Sequence, residues 1–122
     1  MDGMRIMSFA KKWGKLKQKE FTSFRFPRKD RDWQVGEVVQ VFYKSHSPAR
    51  VKLGIATIAK SELRKIATAH GEYRPTETEA QADGFDNLFQ MNAYFRETYG
   101  SRIFEEPINK LTLEWVNPIP KE

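Results

Sequence analysis

Hydrophobic and polar positions change period several times along the chain, and each change marks an element. Ile6, Met7 and Phe9 make Arg5 to Phe9 a short apolar run that suits a first strand buried on both faces, with helix as the rival reading. Ala10 to Glu20 sets Trp13, Gly14 and Leu16 among five lysines, which fits a frayed helix or a basic loop. Phe21 to Phe26 is rich in aromatic and hydroxyl residues and is stopped by Pro27, which predicts a second strand. Alternation along it puts Thr22, Phe24 and Phe26 on one face and Ser23 and Arg25 on the other. After a charged connection from Pro27 to Gly36 that carries Trp33, Glu37 to Tyr43 alternates as a strand. Val39, Val41 and Tyr43 share one of its faces, Val38 and Phe42 the other. The turn-forming stretch Lys44 to Ala49 then leads into Arg50 to Ala59, where Val51, Leu53, Ile55 and Thr57 share a face, so the two runs predict a hairpin. Gly54 inside the second run predicts a bulge or a close backbone approach.

Ser61 to Pro75 is mixed: Leu63, Ile66 and Ala67 have helical spacing, but Gly71 and Pro75 would end a helix early. Thr76 and Glu79 have the spacing of a capping box, which predicts a short helix through Ala82 closed at Gly84. Asp86 is a suitable N-cap for a second helix, in which Leu88, Met91, Phe95 and Tyr99 form an apolar stripe before Gly100. Leu111, Leu113 and Trp115 alternate with Lys110, Thr112 and Glu114 and predict a closing strand ahead of Pro118 and Pro120. Strands near both ends with helices between them predict an α+β fold whose last strand returns to pair near the first. Five or six twisted strands with two or three helices would let that sheet curl into a small β-barrel.

Composition bounds this picture. The chain has 122 residues, 39% hydrophobic and 13% aromatic, enough apolar material for one core in a single domain over residues 1–122. No run approaches the ~20 apolar residues of a membrane span, and the first ten residues lack a signal-peptide core, so no membrane is expected as a partner. Without cysteine there is no disulfide or thiolate metal site, and a reducing cytoplasmic setting is expected. Residues 1–31 carry ten basic side chains against three acidic ones, a balance of +7. The remaining residues hold eleven against thirteen, or −2. A block of this kind attracts RNA or another polyanion through its field and counterion release, or it is a solvated lysine-rich face. Glycine-rich phosphate loops and dinucleotide fingerprints are absent. Two isolated histidines, His46 and His70, support neither a metal site nor a hydrolytic triad, so no metal and no cofactor are expected.

The chemistry-bearing stretch is Lys19-Glu20-Phe21-Thr22-Ser23-Phe24-Arg25, where an amine, a hydroxyl and a fixed cation fall close together. The crowd of like charge around Lys19 would favour the neutral amine that a general base toward Thr22, or toward water, requires. The alternative is a surface lysine beside a strand threonine. Lys15, Lys17, Arg25, Arg28, Lys29 and Arg31 are candidate phosphate contacts, and Trp33, Phe24 and Phe26 are either core residues or stacking surfaces for a base.

The sequence resembles the ASCH family of the PUA-like superfamily. Lys19-Glu20-Phe21-Thr22 is similar to the Lys-x-x-Thr core of its Gly-x-Lys-x-x-Thr-x-Arg signature. Gly36-Glu37-Val38-Val39-Gln40-Val41 is similar to its Gly-Asp/Glu and hydrophobic strand. Ala80 to Asp86, with Tyr99-Gly100, is similar to its helical segment. Lys17 stands where the signature has glycine, Arg25 lies one residue beyond the signature's arginine, and Asp83 stands in place of a glutamate. The resemblance implies a PUA-like barrel with a cleft for a base, nucleoside or RNA. It also implies amidohydrolase activity on an acetylated cytidine, with Thr22 as nucleophile, Lys19 as base or polariser and Asp83 as proton shuttle. The alternative it implies is a non-catalytic RNA-binding module linked to translation or transcription. No protein partner is indicated.

Overall fold

The structure is a computed structural model and describes residues 4–9, 13–28, 31–65 and 74–116. Lys29, His70, the helical spacing at Ile66 and Ala67, and the closing prolines lie outside the described residues. Five strands, β1 (Arg5–Phe9), β2 (Glu20–Arg25), β3 (Val38–Tyr43), β4 (Val51–Arg64) and β5 (Ile108–Trp115), form one sheet in the order β1-β3-β4-β5-β2. β1 runs parallel to β3, and the other neighbours are antiparallel. With helices α1 (Glu77–Ala82), α2 (Leu88–Tyr99) and the one-turn α3 (Arg102–Glu105), the fold is α+β with a mixed sheet. None of the described helices is long and apolar enough to cross a membrane.

The last strand does not return to the first. β5 lies between β4 and β2 because Ile108, Asn109, Leu111, Thr112, Leu113 and Trp115 are all buried, and a strand covered on both faces belongs in a sheet interior. β1 and β2 are left as edges, so the sheet is open rather than a closed barrel. Arginine side chains span the gap: Arg25 Nη2 donates to the Ser8 carbonyl (2.7 Å) and Arg28 Nη1 to the Ile6 carbonyl (3.3 Å). They satisfy edge acceptors that a ladder would otherwise take.

The hairpin of β3 and β4 carries a bulge. Its register jumps from Val41 opposite Gly54 to Phe42 opposite Lys52, and the extra residue reverses the faces beyond it. Leu53 packs partly on the core before the bulge, and Ala56 and Ile58 are buried after it, so the shared face expected for Val51, Leu53, Ile55 and Thr57 does not exist. Gly54 is also the close approach, since a Cβ there would stand 3.0 Å from Cζ3 of Trp115. β4 continues to Arg64, so Ser61 to Arg64 is strand rather than helix.

Two apolar clusters hold the elements together. Met7, Val39, Val41, Ile58, Leu111 and Leu113 pack with Phe21 and Trp33 in one. The second joins Phe24, Phe26 and Ile108 to Ala80 of α1, Met91 and Phe95 of α2 and Ile103 of α3. The Leu88–Tyr99 stripe of α2 is therefore core, each fully buried large side chain contributing about 1.5–3 kcal/mol. Its N-cap is Asn87, whose side chain accepts from Gln90 N at 2.8 Å, one residue beyond the expected Asp86. α1 starts with the expected capping box, Thr76 and Glu79 exchanging hydrogen bonds of 3.1 Å.

Candidate functional site

Three short segments meet where the two clusters adjoin. A 3-10 turn at Gly14–Lys17 is tied to β5, its Leu16 buried and the Leu16 carbonyl accepting from Trp115 Nε1 at 3.2 Å. That anchoring turns the neighbouring Lys15 inward. Asp83 is the C-cap of α1, and Gly84 follows at φ +109°, a conformation that L side chains rarely adopt. A Cβ on Gly84 would stand 2.7 Å from Cε3 of Trp13, so only glycine lets the helix end settle on the indole beside Lys15. β2 supplies Thr22 and Arg25.

Asp83 Oδ1 accepts two hydrogen bonds, from Lys15 Nζ at 2.9 Å and from Thr22 Oγ1 at 2.8 Å. The ion pair is dry: the Lys15 and Asp83 side chains are 5% and 6% exposed. Lys15 Nζ also lies 5.4 Å from the Phe9 ring centre and 5.3 Å from that of Trp13. Burial pulls the Lys15 ammonium below its ordinary range, and the Asp83 charge opposes this without reversing it. Burial likewise raises the Asp83 carboxyl, against the opposing influence of Lys15, Thr22 and Arg25. Burial thus displaces both groups toward their neutral forms. A dehydrated ion pair adds little to stability, and its carboxylate sits at a helix C-terminus where the dipole disfavours it. Such a cost at a cleft marks a candidate site.

Arg25 is half-buried. Its Nε donates to Ser23 Oγ at 2.8 Å, and its guanidinium lies 4.7 Å from the Phe9 ring centre. Burial lowers its proton affinity, yet a guanidinium stays charged at neutral pH. Beside it lies a cavity of about 200 Å³ that Lys15, Asp83 and Arg25 share with Trp13, Phe85 and Tyr94. These rings form a cluster, Trp13 to Phe85 at 5.0 Å and Phe85 to Tyr94 at 5.3 Å between centres. Thr22 opens on a second cavity of about 290 Å³, and Lys15 lines both. Chemically, the cluster pairs a hydroxyl with a carboxylate base and places an ammonium against that base, the geometry of an activated nucleophile.

Of the residues singled out in the sequence, Thr22, Asp83, Lys15 and Arg25 come together. Lys19 does not. Its side chain is exposed just before β2, its backbone carbonyl accepts from Trp115 N at 3.1 Å, and Lys15 takes the place beside Asp83. Lys17 is exposed, Arg28 is exposed at the β1 edge, and Arg31 is half exposed, 3.5 Å from Glu37. Trp33, Phe24 and Phe26 are buried in the two clusters. The aromatic wall instead comes from Trp13, Phe85 and Tyr94, which sequence reasoning missed. One signal for Lys15 was present: it lies between Trp13 and Leu16, the two apolar residues of the lysine-rich stretch, so neighbours anchored in the core draw it inward. Comparison with protein-family models, with curated proteins and with solved structures finds no match to this chain.

Proposed function

We propose that this chain is a nucleoside- or RNA-binding domain of the ASCH type, a PUA-like barrel whose open seam is bridged by Arg25, acting in the cytoplasm. The Lys15–Asp83–Thr22 cluster then serves as an amidohydrolase centre for an acylated cytidine. The observation that carries this reading is the dry Asp83 carboxylate oxygen shared by a hydroxyl and an ammonium beside an aromatic cavity. The base stacks against Trp13, Phe85 and Tyr94, with its acyl group reaching past Lys15, which lines both cavities, toward Thr22. Thr22 Oγ1 attacks the acyl carbon as Asp83 takes its proton, the C–N bond breaks, and Lys15 hands a proton to the departing amine. Water then cleaves the threonyl ester, releasing the acid and restoring the hydroxyl.

The test is acetate release from N4-acetylcytidine. Thr22→Ala and Asp83→Asn should each lower kcat by about 10²-fold or more, and Lys15→Met comparably, with folding checked by thermal melting. Lys19→Ala should retain turnover, because its side chain stands outside the cluster. Absence of turnover by the wild type sinks the enzymatic reading, and loss on Lys19→Ala with Lys15→Met active sinks the assignment of the base. A second reading, a non-catalytic RNA-binding module linked to translation or transcription, is favoured by the +7 balance of residues 1–31. It is the outcome if the wild type binds RNA with steep salt dependence and turns nothing over.

A further inference from the structure

Ser8, Arg25 and Tyr99 line the aromatic cavity on one side and, on the other, a larger basin of about 650 Å³. Arg5, Arg25, Arg28, Arg50 and Arg102 all border that basin, and no aspartate or glutamate among the described residues does. They come from β1, β2 and the segment after it, the turn before β4, and α3, so the convergence is made by the fold rather than by a run of sequence. Glu37 and Glu106, standing outside the lining, pair with Arg5 (2.6 Å) and Arg102 (2.9 Å). Among the described residues Arg25 donates only to neutral groups, Ser23 Oγ and the Ser8 carbonyl. Arg50 lies 4.7 Å from the Phe42 ring centre and forms no ion pair among the described residues. Such convergence is repulsive in the empty protein and is relieved by an anion.

A second observation agrees. Trp33 and Ser45 border the same basin, and the Trp33 indole nitrogen and the Ser45 hydroxyl are covered just beneath its wall with no hydrogen-bond partner among the described residues. Both are donors held in reserve at the wall, and the guanidinium groups that line the basin match phosphate oxygens in geometry as well as charge. We propose that the basin is a phosphate subsite, so that the occupant of the aromatic cavity is a nucleoside phosphate ester rather than a free nucleoside. The inference rests on the base-binding reading of the aromatic cavity, and Arg25, common to both walls, stands between base and phosphate. A 5′-monophosphate and an RNA phosphodiester present the same chemistry.

Calorimetric titration with cytidine, cytidine 5′-monophosphate, a short oligocytidine RNA and inorganic phosphate separates the possibilities. The monophosphate should bind at least about tenfold tighter than cytidine at ~50 mM salt, and the advantage should shrink at ~200 mM. Arg50→Ala and Arg102→Ala should each erode that advantage several-fold, whereas the exposed Lys60→Ala should keep it. Tighter binding of the oligonucleotide than of the monophosphate assigns the subsite to RNA, and the reverse order assigns it to a free nucleotide. Equal affinity for cytidine and its monophosphate overturns the phosphate subsite while leaving the base cavity standing. Arg50-dependent binding of inorganic phosphate with neither cytidine nor its monophosphate bound overturns the nucleotide assignment through the base cavity instead.

Discussion

Gly84 concentrates the logic of the site in one missing methyl group. Its φ of +109° closes α1, and its bare Cα lets Trp13 come within contact of the helix end that presents Asp83. Gly84→Ala therefore strains the backbone and drives a Cβ to 2.7 Å from the indole, with a ring in a packed wall as the neighbour that must move. The expected loss is about 1–3 kcal/mol in urea unfolding. Turnover of acetylcytidine should fall as well, since displacement of Asp83 by about 1 Å can cost 10²-fold. Unchanged unfolding would show that the indole gives way freely. At this scale the sequence was half legible. A glycine after a short capped helix reads as an αL closure, and Thr22 and Asp83 stand out as a hydroxyl and an unfavourably placed carboxylate. The role of Lys15 was overshadowed because a strand-ward Lys-x-x-Thr spacing makes Lys19 look nearer to Thr22, whereas the 3-10 turn brings the earlier lysine to Asp83.

α1 has six residues, too few to hold a helix alone, so it depends on its attachment to the sheet. Glu79 provides it. The carboxylate that completes the capping box also accepts from Arg64 Nη2 of β4 at 2.7 Å and from Lys110 Nζ of β5 at 2.9 Å. The Arg64 hydrogen bond, foremost among these contacts, holds the Glu79 carboxyl down at about 2 against an ordinary 4.5. A depressed carboxyl binds fewer protons in the folded state, so its contribution is whole above pH 4.5 and is lost as pH falls through about 2. Glu79→Gln should cost about 1 kcal/mol at neutral pH, solvent screening included, and should flatten the acid limb between those values. Denaturant melts at stepped pH measure both, and an acid limb identical to wild type would remove Glu79 from the account. The capping box could be read from four consecutive residues. Arg64 and Lys110 could not, because that pairing needs the β4–β5 register, and β4 runs on to Arg64 through a segment whose pattern reads as helical and a second register shift between Ile58 and Lys60.

Across the whole molecule, the two sheet edges are the feature that joins fold to function. The charge asymmetry between residues 1–31 and the rest was plain in the sequence. Its convergence on the β1–β2 seam was not, because Arg50 and Arg102 reach the same basin from distant segments. A β5 buried on both faces takes an interior place between β4 and β2, leaving β1 and β2 without a ladder between them, and Arg25 spans the gap with its Nη2 while Ser23 Oγ of its own strand braces its Nε. A fork of two donors in fixed geometry does this, and a lysine ammonium at the end of a flexible stem cannot reproduce it. Arg25→Lys keeps a half-buried charge while losing one of its two hydrogen bonds, with an expected loss of about 1–2 kcal/mol. Arg25→Met removes the charge along with the bonds and should cost less, because a partly dehydrated cation no longer has to be accommodated. Amide hydrogen exchange in Ile6 to Phe9 should quicken in both variants if Arg25 holds the β1 edge against β2. Wild-type stability and wild-type β1 exchange in Arg25→Lys would mean that parallel pairing with β3 alone secures the edge, and that the seam is closed by packing rather than by the guanidinium.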